Sequence, residues 1–217
     1  IKIADEMFVL NPKHVLGICD LLIERGYGDR LNIWAYSRVD TCQPRFLDEL
    51  RRAGFRWLVI GVESASELVR ASVDKGKFSQ VEIFRVVRMI QDKGINVLAN
   101  FIFGLPEDDR ESMTATFQMA LELRAEWTTF YSAMAYPGSQ LYREALECGW
   151  TLPDTWLGYS QHSVDTLPLP TKHLTASEVL RFRDAATQAL YSDPGYLSYI
   201  KEKFGVETAD HIRELAS

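Results

Sequence analysis

Polar residues recur at the ends of successive apolar segments: Asp5 and Glu6, Ser37 and Arg38, Glu63 and Ser64, Asn100 and Glu107, then Tyr136 to Ser139. Carboxylates can receive an ammonium group or ribose hydroxyls, Arg38 can grip a carboxylate as a fork, and apolar Ile102 can lie against an aromatic base. Such a set suits a zwitterionic small molecule. Each residue alone has a simpler explanation, with Asp5 and Glu6 capping a helix and Glu63 pairing with a nearby cation. Five such positions in one repeating context shift the balance toward a ligand site.

The context is an alternation of strand and helix. Ile1 to Ala4 reads as a short strand, and Pro12 to Arg25 carries the helical stripe Val15, Leu16, Ile18, Leu22 and Ile23, ended by Gly26 and Gly28. "LNIWAYSR" is the next strand, followed by a helix that Pro44 opens and Gly54 stops, and then by the apolar strand from Trp57 to Val62. Ser79 and Glu82 have capping-box spacing ahead of Ile83, Val86, Val87 and Ile90, and Gly94 ends that run.

"INVLANFIF" is the fourth strand. It runs into Gly104-Leu105-Pro106-Glu107 and an acidic helix start, so strand, turn and helix follow one another from Val97 onward. A helix over about Asp109 to Arg124, the strand "TTFYSAMA", the turn Pro137-Gly138 and a helix through Leu141, Tyr142 and Leu146 complete a fifth unit. Strict alternation predicts an α/β fold with a parallel sheet and right-handed crossovers, open or rolled into a barrel, with ligands at the carboxyl ends of the strands. Trp150 to His173 has no clear period and reads as a long loop, after which Thr175 and Glu178 form a second capping box for a helix to about Tyr191. The expected division is therefore a barrel-like part over residues 1–149 and a helical extension over 150–217.

Composition narrows the partners. The 217 residues are 47% hydrophobic and 25% charged, ordinary for a globular domain, and the net charge of −6 offers no electrostatic footprint for nucleic acid. No apolar stretch approaches a membrane span and no basic leader precedes Ile1, so a cytoplasmic protein is expected. The chain opens on Ile1, directly in a strand-like pattern, which predicts a piece of something longer. Cys19, Cys42 and Cys148 lie far apart and form no CxxC pair, and His14, His162, His173 and His211 lack the i, i+4 spacing of a helical zinc site. No metal ligand is expected among them.

In order and spacing, several segments of residues 1–149 resemble the radical S-adenosylmethionine (SAM) superfamily, especially its cobalamin-associated branch. "ADE", Ala4 to Glu6, is similar to the second-strand motif that receives the methionine ammonium of SAM. "YSRVD", Tyr36 to Asp40, resembles the third-strand segment, with Arg38 near the SAM carboxylate. "GVES", Gly61 to Ser64, resembles the ribose motif, with Glu63 on the ribose hydroxyls or the methionine end. "NFIFGLPE", Asn100 to Glu107, is similar to the GxIxGxxE motif, with Asn100 at the first Gly and Ile102 against the adenine. "AYPGSQLY", Ala135 to Tyr142, resembles the sixth-strand segment whose backbone meets the adenine, which brings in Tyr136.

The resemblance implies an incomplete (β/α)6 TIM-like barrel of five parallel βα units, the first unit and its CxxxCxxC loop being absent. That loop's thiolates would hold the 4Fe-4S cluster. The parent protein is expected to cleave SAM reductively and to use the radical for methyl transfer or for an oxidative ring closure like that of the anaerobic magnesium-protoporphyrin monomethyl ester cyclase. Cobalamin would be held by an upstream domain, electrons would come from a flavodoxin or ferredoxin, and the substrate would be a small molecule. The piece alone is expected to be inactive and to self-associate through an exposed "IKIA" edge. Two alternatives are a SAM-site binding module without catalysis and a conventional β/α lyase or isomerase with Glu63 or Glu107 as base; the latter lacks a strand-end lysine, since Lys75 and Lys77 fall in a helix-to-helix segment.

Overall fold

The structure, a computed structural model, describes residues 1–5, 8–71 and 79–215. Four strands, β1 (Ile33–Ser37), β2 (Phe55–Glu63), β3 (Asn96–Phe103) and β4 (Trp127–Ser132), form one sheet in the order β1-β2-β3-β4. The sheet is parallel, with Trp34 opposite Trp57 and Ser37 opposite Ile60. Helix α1 (Pro12–Glu24) precedes β1, and sequential order follows from the helices between strands, α2 (Pro44–Arg52), the short α3 (Glu67–Ala71) with α4 (Gln80–Asp92), and α5 (Arg110–Leu123). After β4 come α6 (Gln140–Glu147), α7 (Ala176–Ser192), α8 (Pro194–Phe204) and α9 (Val206–Leu215).

The expected first strand is reduced. Ile1 to Ala4 contributes a single parallel bridge, Lys2 opposite Trp34, with Ile3 N–H donating to Trp34 O (2.9 Å) and Trp34 N–H to Ile1 O (2.8 Å). So short a segment has too few ladder bonds to count as a strand, yet it occupies the fifth position beside β1. Lys75 and Lys77 lie outside the described residues.

The described chain divides into two compact units, one of 1–62, 78–100 and 125–129, the other of 63–77, 101–124 and 130–217. In the first unit, alternation along β2 buries Leu58, Ile60 and Val62 completely, as are Ile83, Val87 and Ile90 of α4. Trp34 stacks on Trp57 at 4.6 Å between centroids, and Trp127 meets Trp34 edge-on at 6.4 Å. Glu126 is 3% exposed and takes the Val97 N–H (2.6 Å) and the Gln91 side-chain amide (3.0 Å), so its buried carboxylate is hydrogen-bonded. Gly28 is required by close approach: a Cβ there would fall 1.9 Å from the carbonyl oxygen of Arg52.

In the second unit Phe103 stacks on Phe130 (5.1 Å) and meets Phe182 of α7 edge-on (5.0 Å). The segment from Trp150 to His173 is largely irregular, with one 3-10 turn at Trp156–Tyr159. Its Gln161 reads like a strand residue: the side-chain amide donates to Ser132 O (2.8 Å) and accepts from Ser132 N–H (3.0 Å), occupying the end of β4.

Both expected capping boxes are present. Ser79 Oγ accepts from Glu82 N–H and the Glu82 carboxylate accepts from Ser79 N–H (2.8 Å); Thr175 and Glu178 do the same at α7. These bonds hold the Glu82 and Glu178 carboxyls below the ordinary glutamate range. A depressed folded pKa contributes stability above the unfolded value and loses it as pH falls through the lowered one. Ser79→Ala and Thr175→Ala should each cost about 1 kcal/mol at neutral pH. That penalty should shrink as pH falls from neutral to acid values below the ordinary glutamate range, where the carboxyls take up protons. Urea denaturation followed by circular dichroism at both pH values checks this, and a pH-independent penalty would contradict it.

Candidate functional site

In the parallel sheet Arg38 and Ser64 directly follow β1 and β2, Glu63 ends β2, Asn100 and Ile102 lie within β3, and Tyr136 follows β4. In the second unit, Glu63 is the last residue of β2 and has φ +69°, a left-handed backbone. The other described non-glycine residue with positive φ, Arg124, is an ordinary helix C-cap. A side chain in that region costs about 1–2 kcal/mol relative to the right-handed alternative. Glycine would meet the backbone demand more cheaply, so a carboxylate held there points to a role for the side chain.

Ser64 is placed differently from a ligand-facing hydroxyl. It is fully buried, its Oγ is 3.1 Å from Thr116 Oγ1 on α5, and it accepts from Ser66 N–H at 3.2 Å. The geometry makes Ser64 an internal brace for the turn after β2.

Ile102 lies on the half-buried side of β3 and packs against Val69, Leu105 and Ala133. Its position on that face follows from alternation, since Phe101 and Phe103 fill the opposite, fully buried one. Gly104 follows at φ +82°, and a Cβ there would come within 2.4 Å of Val179 Cγ1 on α7, so the turn needs glycine for its backbone and for its packing. Glu107 pairs with Lys172 of the tail loop. Tyr136 lies four residues past β4, is 48% exposed and stacks on Tyr159 at 6.1 Å.

Sequence reasoning missed Asp108. It is 1% exposed; its Oδ2 accepts the N–H groups of Gly104 (3.0 Å) and Leu105 (3.1 Å), and its Oδ1 accepts the Ser112 hydroxyl. Burial raises its pKa, and these three hydrogen bonds oppose the rise. The signal was available in an aspartate three residues after Leu105 in a turn, the spacing at which a short carboxylate closes a loop on its own backbone.

In the first unit, Arg38 directly follows β1 and forms a two-pronged pair with Asp40, Nε to Oδ1 at 2.9 Å and Nη2 to Oδ2 at 2.8 Å. Both side chains are about half exposed, so a ligand carboxylate could exchange with Asp40 at small cost. Asp5 lies exposed just past the Lys2 bridge, and Glu6 falls outside the described residues. Asn100 shares the half-buried side of β3, and its Oδ1 is buried with no hydrogen-bond partner among the described residues. An unsatisfied buried acceptor is costly, and a ligand donor would remove that cost.

The same test fails for an iron-sulfur cluster. No group of three or more His, Cys, Asp or Glu able to hold a metal occurs among the described residues. Burial pushes the Cys19 thiol up to about 12, with the Glu49 and Asp20 carboxylates adding to it, and pushes Cys42 up to about 11 against a bond from Ser37. Cys19, Cys42 and Cys148 are free thiols far apart in sequence, and no three metal-binding side chains gather among the described residues. One cavity, of about 400 Å³, lies beside Trp150, Leu167 and Pro168, and another runs along Arg110 and Thr114 of α5. No helix among the described residues is long and apolar enough to cross a membrane.

Asp108→Ala should leave the Gly104 and Leu105 N–H groups without their acceptor and lower stability by about 1–3 kcal/mol. Urea titration measures this, and faster amide exchange at those two residues should accompany it. An unchanged midpoint with unchanged exchange would contradict the assigned role.

Comparison with known proteins supplies the family. Residues 11–120 match the model of the Radical SAM superfamily. An uncharacterized methyltransferase of Pyrococcus horikoshii is 28% identical over 204 residues, 94% of this chain and 43% of that protein. The anaerobic magnesium-protoporphyrin IX monomethyl ester cyclase of Cereibacter sphaeroides is 24% identical over 180 residues, 82% of this chain and 28% of the cyclase. The chain thus spans less than half the length of these relatives. Among solved structures, the radical SAM methyltransferase TsrM of Kitasatospora setae, with cobalamin and a [4Fe-4S] cluster bound, superposes with a TM-score of 0.65 at 18% identity, covering 89% of this chain and 42% of TsrM, which supports a shared fold. With more than half of its length matched by the family model and its parallel α/β sheet shared with such an enzyme, the chain belongs to the radical SAM superfamily.

Proposed function

We propose that this chain is the SAM-binding core of an enzyme that drives radical chemistry on a small molecule, with methyl transfer as the first reading and oxidative cyclisation as the second. Glu63 carries the proposal. Its carboxylate is kept at a strand end, on a left-handed backbone, where a ribose- or ammonium-binding acid is expected. In this reading Glu63 accepts hydrogen bonds from ribose hydroxyls or the ammonium group, Ile102 gives the adenine an apolar surface, and the backbone around Tyr136 meets the adenine edge. Asp5, Arg38 and Asn100 are assigned the methionine end: Arg38 for the carboxylate, Asp5 for the ammonium, and the unsatisfied Asn100 Oδ1 for a donor. Glu6 shares the role of Asp5.

When bound, SAM supplies a carbon-sulfur bond whose one-electron cleavage starts the radical reaction; the chain's own contribution is binding and orientation. The described residues do not fit the 4Fe-4S cluster, and no step is assigned to it here. The cluster, any cobalamin and the docking of a flavodoxin or ferredoxin belong in this proposal to other parts of the whole protein. Residues 1–149 would then be the partial barrel and 150–217 its helical extension. Methyl transfer comes first because the Pyrococcus relative and TsrM are both named methyltransferases, while the Cereibacter relative is a cyclase.

The test is SAM binding by the chain, followed by ligand-detected NMR or calorimetry up to millimolar concentration. Glu63→Gln keeps size and polarity but removes the charge, and should weaken binding by about tenfold, the scale of one charge-assisted hydrogen bond. Cys148→Ala should leave it unchanged, because that exposed thiol has no part in the site. Equal affinity of the Glu63 variant and the parent would remove the basis for the assignment.

A further inference from the structure

The turn after β2 is clamped from two sides, and neither clamping residue belongs to a motif of the strand end. Thr116, 1% exposed on α5, accepts the Ala65 N–H at 3.0 Å and lies 3.1 Å from Ser64 Oγ, while its own hydroxyl donates to Ser112 O at 2.9 Å. With the threonine proton spent on Ser112, the Ser64 hydroxyl is the donor to Thr116. From the other side Arg70, fully buried on α3, donates from Nη1 to the Ser64 carbonyl oxygen at 2.5 Å. Burial lowers its pKa, but a guanidinium keeps its proton at any physiological pH. Side chain, carbonyl and the following N–H of one dipeptide are therefore all engaged, immediately after the residue with φ +69°.

We infer that Thr116 and Arg70 are positioning residues for Glu63: their bonds to Ser64 and Ala65 hold the left-handed backbone that directs the Glu63 carboxylate. Left to itself, a non-glycine residue relaxes to negative φ, which would swing the side chain to a new direction. The clamp outweighs that tendency because it joins three polar groups in a buried setting, where each lost bond is costly. Ser112 extends the arrangement. It lies one helical turn before Thr116 on the same face of α5, and its hydroxyl bonds Asp108, which holds Gly104 and Leu105. One face of α5 thus fixes both turns, the one after β2 and the one after β3.

The inference rests on the reading of Glu63 as a SAM ligand, and the experiment separates the two. SAM affinity of the chain is measured for Thr116→Val, Thr116→Ser, Glu63→Gln and the double variant Thr116→Val with Glu63→Gln. Thr116→Val keeps the volume and removes the hydroxyl; it should weaken binding by about tenfold, Thr116→Ser should restore it to within about twofold, and Thr116→Val should add less than about twofold in the Glu63→Gln background. Weak binding by Glu63→Gln with parental binding by Thr116→Val would overturn the positioning role and leave the SAM site standing. Parental binding by Glu63→Gln would overturn both. Fully additive losses in the double variant would show a general structural effect and would also overturn the inference. Should Thr116→Val fail to fold, Arg70→Lys, which keeps the charge but shortens its reach to the Ser64 carbonyl, is judged by the same criteria.

Discussion

The first turns of α5 carry more of the strand-end arrangement than any strand does. Ser112 and Thr116 stand on one face of this helix, one turn apart, and through them the turn after β3 and the turn after β2 are tied to the same rigid rod. Loops are ordinarily the mobile parts of a β/α fold. Here the backbone groups of Gly104, Leu105, Ser64 and Ala65 have protein partners, so little is left to fluctuate. A side chain on such a turn is held in one orientation, the condition under which a group binds without an ordering cost.

That rigidity has a chemical complement. Buried polar groups are tolerated because they are satisfied: Asp108 by two N–H groups and a hydroxyl, Thr116 by two donors and a carbonyl, Glu126 by an N–H and an amide. Asn100 Oδ1 and Ser132 Oγ depart from this pattern, buried without a hydrogen-bond partner among the described residues. A buried acceptor without a partner is costly, and a donor from water or another molecule removes that cost. Arg38 shows a softer version, paired with its own neighbour Asp40 in a half-exposed contact that a stronger anion can displace.

Much of the fold was legible in the residues themselves. The order of strands and helices, both capping boxes, and the positions of Glu63, Asn100, Ile102 and Gly104 follow from periodicity and turn chemistry, which are local properties of the chain. Arg38, Glu63 and Tyr136 fall at or past strand ends as alternation requires. Local patterns overreached at Ile1 to Ala4, where an alternating apolar run yields one bridge. A strand needs ladder partners along its length, and alternation does not count them.

Other assignments could be made only by the folded chain. Ser64 looks like a polar neighbour of Glu63 in sequence; its hydroxyl turns inward because Thr116, 52 residues away, accepts its bond. Gly104 reads as a turn glycine, yet it is also needed because Val179 of α7 crowds the site. Arg70 and Thr116 have no local signal at all, being a basic residue on a five-residue helix and a threonine inside a longer one. Periodicity and motif spacing report what neighbours along the chain do to one another, whereas burial, hydrogen-bond satisfaction and close packing are set by residues far apart in sequence. The sequence alone therefore determined the family, the alternating elements and the place of Glu63 at the end of β2. Which polar side chains are buried and bonded, and which turns they hold in place, was decided by tertiary packing, because only there do long-range partners meet.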